Sequence, residues 1–151
     1  MASSVGSRGS RASEKRIYFI RHGQSESNIL FYKGKISQAR AILDPGLSDT
    51  GFAQAEKASR DPILGEALQS ESPVLVVISP LRRTIQTAMG ILGDWLEEVG
   101  KIAARKPRVV FEPDIQETGE APCDQGRPPE QVREEFEKKY PFLPFLLKRS
   151  I

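Results

Sequence analysis

The sequence predicts an α/β fold built on a parallel sheet, and three observations carry that prediction. Ile17 to Ile20 (IYFI) and Val74 to Ile78 (VLVVI) are short unbroken apolar runs, which read as buried strands. Each runs directly into residues that turn the chain or start a helix, Arg21-His22-Gly23 in one case and Ser79-Pro80 in the other. Between and after the strands lie stretches with helical spacing, and such alternation is the pattern of a parallel sheet with crossover helices. Val74 to Ile78 is β-branched at every position but Leu75, which suits a strand covered on both faces.

The 151 residues fit one domain, large enough to bury roughly 70% of the unfolded surface. A net charge of +2 with 28% charged residues gives no reason to expect a nucleic-acid partner. No run reaches the ~20 apolar residues of a membrane span, so no membrane association is expected. Cys123 is the single cysteine, which rules out an internal disulfide and fits a reducing compartment. Without the apolar core of a signal peptide near the N-terminus, the expected location is cytoplasmic; the absence of acidic residues before Glu14 keeps organellar targeting as the alternative.

Taken in order, residues 1–15 form a Ser-, Gly- and Arg-rich leader with too few apolar side chains to order itself, and the domain is expected over residues 16–151. The strand Ile17 to Ile20 opens it. Ile29 to Leu43 reads as helical in part, ending at the turn signal Asp44-Pro45-Gly46. Ser48, Asp49 and Thr50 then precede Phe52, Ala53, Ala55 and Ala58, predicting a helix over about residues 50–60 that breaks near Pro62, with another turn or two over 63–68. After the strand 74–78, Ser79 is placed to cap a helix whose first residue is Pro80. Leu81, Ile85, Ala88, Leu92 and Trp95 carry that helix to about residue 96. Gly90 and Gly93 weaken it and suggest close packing against a neighbour. A third short strand is expected at 109–111, a loop at 112–129, and a charged helix at 130–140 with Val132 and Phe136 on one face. The tail 141–151 is apolar with two prolines.

The chemistry gathers at strand ends. Arg21 and His22, the chain's one histidine, follow the first strand; Arg82 and Arg83 stand at the start of the helix after the second. Guanidinium groups bind phosphate or carboxylate through paired hydrogen bonds, and the helix start adds attraction for an anion. If the two strands are neighbours, both arginines face one pocket. His22 then projects into a phosphate-sized anion site, where its neutral imidazole could attack phosphorus.

The segments RHG at Arg21 to Gly23, LSDTGFAQA at Leu47 to Ala55 and SPLRRTIQTA at Ser79 to Ala88 make the chain resemble the histidine phosphatase superfamily, the phosphoglycerate mutase-like family. The resemblance covers about residues 16–140. It implies a three-layer α/β/α sandwich with a mostly parallel sheet, a nucleophilic His22 and a phosphate clamp of Arg21 and Arg83, with Arg82 left as surface. It also implies a catalytic acid from the loop after the third strand. Glu117 is the preferred position there, ahead of Glu120 and Asp124, and Asp124 has the competing reading of a turn-stabilising residue. Gln24 and Asn28 are candidate substrate contacts at the pocket edge.

One departure stands out: the family carries a second histidine later in the chain, and none follows His22 here. The expectation is therefore a C-terminally truncated domain. Its full form is expected to hydrolyse phosphomonoesters through a phosphohistidine on His22, without metal or organic cofactor. Its substrate would be a phosphorylated small molecule or a phosphoprotein. A catalytically impaired chain that binds phosphorylated ligands, and a mutase-type phosphoryl transfer, are the alternatives. A cysteine phosphatase is excluded, since position 129, six after Cys123, holds Pro129 rather than arginine; a metal hydrolase lacks ligand spacing.

Overall fold

The structure is a computed structural model, and it describes residues 15–69, 74–102 and 107–143. The proposed leader up to residue 14 and the tail from residue 144 lie outside the described residues.

Two strands, β1 (Leu75–Ile78) and β2 (Arg108–Phe111), pair in parallel with Leu75 beside Arg108 and Ile78 beside Phe111. Helix α5 (Arg82–Gly100) connects them, giving the strand–helix–strand unit that a parallel pair requires. Ahead of it come α1 (Glu26–Tyr32), α2 (Ile36–Ala41), α3 (Asp49–Ala58) and α4 (Pro62–Gln69), and after it α6 (Pro129–Glu137). The loop between β2 and α6 contains two single 3₁₀ turns, Pro113–Ile115 and Pro122–Asp124.

The core lies where α5 crosses the sheet. Ile85, Met89, Leu92 and Leu96 recur at spacings of four, three and four, one stripe of a helix, and all four are buried. They meet Ile78 and Phe111 from the sheet and Val132 and Phe136 from α6. Helix α3 packs closely on α5: a Cβ on Gly90 would lie 2.8 Å from the Ala55 Cβ, so the expected close approach is real at Gly90. Gly93 has nothing within 4 Å of that position and serves no such contact. The Trp95 indole N–H donates to the Leu68 carbonyl at 3.2 Å, tying α4 to the far side of α5.

Three expectations are corrected. Residues 17–20 belong to no strand, and their side chains face solvent, with Phe19 93% exposed. A strand needs a partner for its N–H and C=O groups, and among the described residues none lies alongside. His22 therefore follows an irregular segment instead of a strand end.

Ser79 does not cap α5. The helix begins at Arg82, Leu81 occupies the cap position without a side-chain bond, and the buried Ser79 Oγ has no partner among the described residues. The first helical N–H is satisfied from elsewhere, by the carboxylate of Asp44 at 2.8 Å.

Finally, among the described residues the sheet is not covered on both faces. Ile78 and Phe111 point into the core, while Leu75 and Val77 on the opposite face are 58% and 45% exposed. Among the described residues the fold is α/β with a small parallel sheet and six α-helices.

Candidate active site

His22 is held between two hydrogen bonds that fix its tautomer. Its Nδ1 lies 2.7 Å from the Gly23 carbonyl, which can only accept, so Nδ1 carries the proton. Nε2 is then the bare nitrogen, and it accepts from the Arg83 Nε–H at 3.2 Å. Burial is the largest influence on this imidazole and pushes it below the ordinary histidine value of 6.5. The Gly23 carbonyl pulls it upward, the guanidinium groups of Arg83 and Arg21 push it down, and Glu117 opposes them. The result is a neutral ring near pH 7 whose Nε2 lone pair is turned toward Arg83.

Local packing holds the histidine's backbone. The Gly23 N–H donates to Thr87 Oγ1 at 3.0 Å, and that hydroxyl in turn donates to the Arg83 carbonyl at 2.7 Å, one turn back along α5. On the other side, Ser48 caps α3 by accepting from the Gly51 N–H at 3.1 Å. The same hydroxyl lies 3.1 Å from the Gln24 carbonyl and 2.9 Å from Gln24 Oε1. The RHG, LSDTG and SPLRR segments thus meet around one point, and each contributes backbone or side chain to it.

Arg83 is 3% exposed, so its charge depends on the partners around it. Its three donor groups diverge: Nε to His22, Nη1 to the Cys123 carbonyl at 2.9 Å, and Nη2 to Glu117 Oε2 at 3.1 Å. Of the three acidic candidates in the loop, Glu117 is the one that reaches Arg83, with its side chain 54% exposed at the mouth of the site. Glu120 is exposed, and its backbone carbonyl accepts from Gln125; the Asp124 carboxylate lies 3.5 Å from the Cys123 thiol. Burial, then Asp124, push that thiol above its usual range, so it stays protonated.

The remaining candidates lie close in the chain and differ in role. Arg21 is exposed next to His22 and acts on the imidazole through its charge. Gln24 is engaged with Ser48 and, through its backbone N–H, with Gln54. Asn28 closes the capping box at the start of α1, its Oδ1 accepting from the Ser25 N–H at 3.0 Å. A cavity of about 240 Å³ borders Arg21, His22, Gln54, Ala55, Thr87 and Ile91.

Sequence reasoning missed Thr87, the Cys123 carbonyl and Asp44. Thr87 lies inside the SPLRRTIQTA segment and was reachable from it; a backbone carbonyl leaves no mark in a sequence. Arg82, read as surface, pairs with Glu135 at 2.8 Å. Among the described residues, no cluster of three or more His, Cys, Asp or Glu side chains could hold a metal ion, and no helix is long and apolar enough to cross a membrane.

A neutral imidazole against a buried guanidinium, with a carboxylate at the rim, is an arrangement chemically able to take an anionic, electrophilic ligand. The profile described as Histidine phosphatase superfamily (branch 1) matches residues 17–142, and the chain belongs to that family. A glucosyl-3-phosphoglycerate phosphatase from Mycolicibacterium vanbaalenii is 39% identical over 80 residues, which are 53% of this chain and 30% of that protein. A solved structure named Mycobacterial hydrolase 1 aligns with a TM-score of 0.37 at 23% identity, over 76% of this chain and 44% of its own. The chain thus spans less than half the length of either relative.

Proposed function

We propose that this protein is a phosphomonoesterase that works through a phosphohistidine on His22. The observation that carries the reading is the pairing of His22 Nε2 with Arg83 Nε at 3.2 Å while Nδ1–H is held by Gly23, which leaves the attacking nitrogen neutral and already facing a phosphate-binding group.

Arg83 and Arg21 take the phosphoryl oxygens, the first through its planar fork and the second from the exposed side. An incoming phosphate monoanion competes with Glu117 for Arg83 Nη2, and the freed carboxylate takes up the proton that the phosphate carries, which makes it the proton donor. Nε2 then attacks phosphorus, the P–O bond to the ester breaks, and the departing oxygen takes the proton from Glu117. In the second half, water gives a proton back to Glu117 and attacks the phosphohistidine, releasing phosphate and restoring His22. Gln24 and Asn28, which follow His22 in the chain, are assigned as substrate contacts. No step calls on a metal or organic cofactor.

The phosphatase relative acts, by its name, on a phosphorylated sugar acid, which supports a phosphorylated small molecule as substrate ahead of a phosphoprotein. A cytoplasmic setting, with which the single cysteine of the sequence fits, belongs to the same reading. The second reading is a chain that binds phosphorylated ligands with little turnover. The bond that Nε2 accepts from Arg83 favours it, because a nitrogen so engaged must be released before it can attack.

The test is hydrolysis of an aryl phosphate by the 151-residue chain beside His22→Ala, together with trapping of an acid-labile, base-stable phosphoprotein. Turnover and trapped label in the wild type alone support the phosphatase. Equal rates in the two proteins sink it, and saturable phosphate binding without label selects the second reading.

A further inference from the structure

We propose that Asp44 is a positioning residue of this site: its buried carboxylate fastens the start of α5 to the loop that carries Glu117, and so sets Arg83 and Glu117 against His22. The inference rests on the reading of His22, Arg83 and Glu117 given above.

Asp44 lies far from all three in sequence, between α2 and α3, and its side chain is wholly buried. Its φ of 44° is left-handed, a conformation that aspartate tolerates better than most residues because its short side chain bonds locally. Here the carboxylate bonds to distant chain instead. Oδ1 accepts the Arg82 N–H at 2.8 Å, the donor that Leu81 cannot satisfy, so Asp44 caps α5 from outside the helix. A negative charge at a helix start is also favoured by the helix dipole.

Oδ2 accepts from Arg127 Nε at 3.2 Å, and the Asp44 backbone N–H donates to the Pro122 carbonyl at 3.2 Å. Both partners belong to the loop between β2 and α6. Glu135 completes the fastening from α6, taking Arg82 Nε at 2.8 Å on one oxygen and Arg127 Nη2 on the other.

The two ends of this buckle adjoin the two halves of the site. Arg82 is the residue before Arg83, and Pro122 is the residue before Cys123, whose carbonyl accepts from Arg83 Nη1. Between those ends Arg83 bridges the same two elements on the reacting side, through Cys123 and Glu117. Removing Asp44 leaves the Arg82 N–H without its acceptor and Arg127 with one carboxylate instead of two. Side chains that orient a reacting group from behind typically contribute about tenfold or more to affinity or activity.

The test uses the 151-residue chain and its single histidine, followed by NMR titration of the His22 ring with and without inorganic phosphate. Deleting a nearby carboxylate by itself makes a histidine harder to protonate and lowers its midpoint. Displacing Arg83 does the opposite. In Asp44→Ala with native circular dichroism, the His22 midpoint is expected to rise toward 6.5, with phosphate affinity reduced about tenfold. Asp44→Asn, which keeps an acceptor for the Arg82 N–H, should recover part of both.

A folded Asp44→Ala with an unchanged or lowered midpoint and unchanged phosphate affinity overturns the proposal. Should Asp44→Ala not fold, Arg127→Met removes the loop side alone; the same upward shift supports the proposal and an unmoved midpoint overturns it. A wild-type midpoint at the ordinary value and insensitive to phosphate would instead reject the underlying reading of the site.

Discussion

Gly23 and Gly51 pack backbone against backbone. A Cβ on Gly23 would lie 2.6 Å from the Gly51 carbonyl oxygen, and one on Gly51 would lie 2.1 Å from the Gln24 carbonyl oxygen. Neither obstacle is a flexible side-chain tip, so the start of α3 and the His22 segment would have to separate to admit a methyl group. Gly51→Ala should therefore cost about 1–3 kcal/mol in urea unfolding. It should also move the His22 ring resonances, because Gly23 holds Nδ1. An alanine variant of wild-type stability would show that the two backbones do not meet this closely.

Arg83 uses three separately directed donors, a geometry that a lysine ammonium cannot copy. Arg83→Lys keeps the charge but loses the fork, and aryl phosphate turnover should fall by about 10²–10³, as for loss of a positioned donor. Arg83→Ala should be at least as slow and less stable, since it strips the Cys123 carbonyl of its partner. Lysine activity within a factor of a few of wild type would contradict the role assigned to the fork.

Thr87 links the two arms of the site through one hydroxyl. In Thr87→Val the shape is kept while the buried Gly23 N–H loses its acceptor, a loss of about 1–3 kcal/mol. Thermal or denaturant unfolding measures it. Stability equal to that of the wild type would mean that the N–H finds another partner.

The lowered affinity of His22 for protons makes stability depend on pH. The unfolded chain takes up a proton near pH 6.5, the folded chain only at lower pH, so below 6.5 the unfolded state binds more protons. Stability should consequently fall as pH drops through about 6.5 and level off once folded His22 is protonated too. Glu135 adds a separate loss in more acid solution. Although its burial favours the neutral acid, the hydrogen bonds of Arg82 and Arg127 outweigh that and hold its carboxyl below 4.5. Urea midpoints between pH 5 and 7 for wild type and His22→Gln isolate the histidine component. Parallel curves for the two would refute it.

The parts of the fold legible in the sequence are those with local causes. The 3.6-residue stripe of α5, the apolar run of β1, the Ser48 cap of α3 and the Val132–Phe136 face of α6 all appear near their expected places. Ile17 to Ile20 has the composition of a buried strand, but strand formation depends on a partner that no local pattern reveals. Ser79-Pro80 carries a strong helix-start signal, yet the tertiary contact from Asp44 placed the start at Arg82. At the site, His22, Arg83 and Glu117 came from motif positions, and the structure brings them together. Asp44 was hidden because Asp-Pro-Gly has a sufficient explanation as a turn, and its long-range bonds cross 38 and 83 residues of chain.

The sheet face left uncovered among the described residues has a practical consequence at the bench. Leu75, Val77 and the side chains of residues 17–20 present apolar surface among the described residues. Such a molecule is an awkward solute: it should bind hydrophobic dyes while folded, and light scattering should grow steeply with protein concentration and with added sulfate.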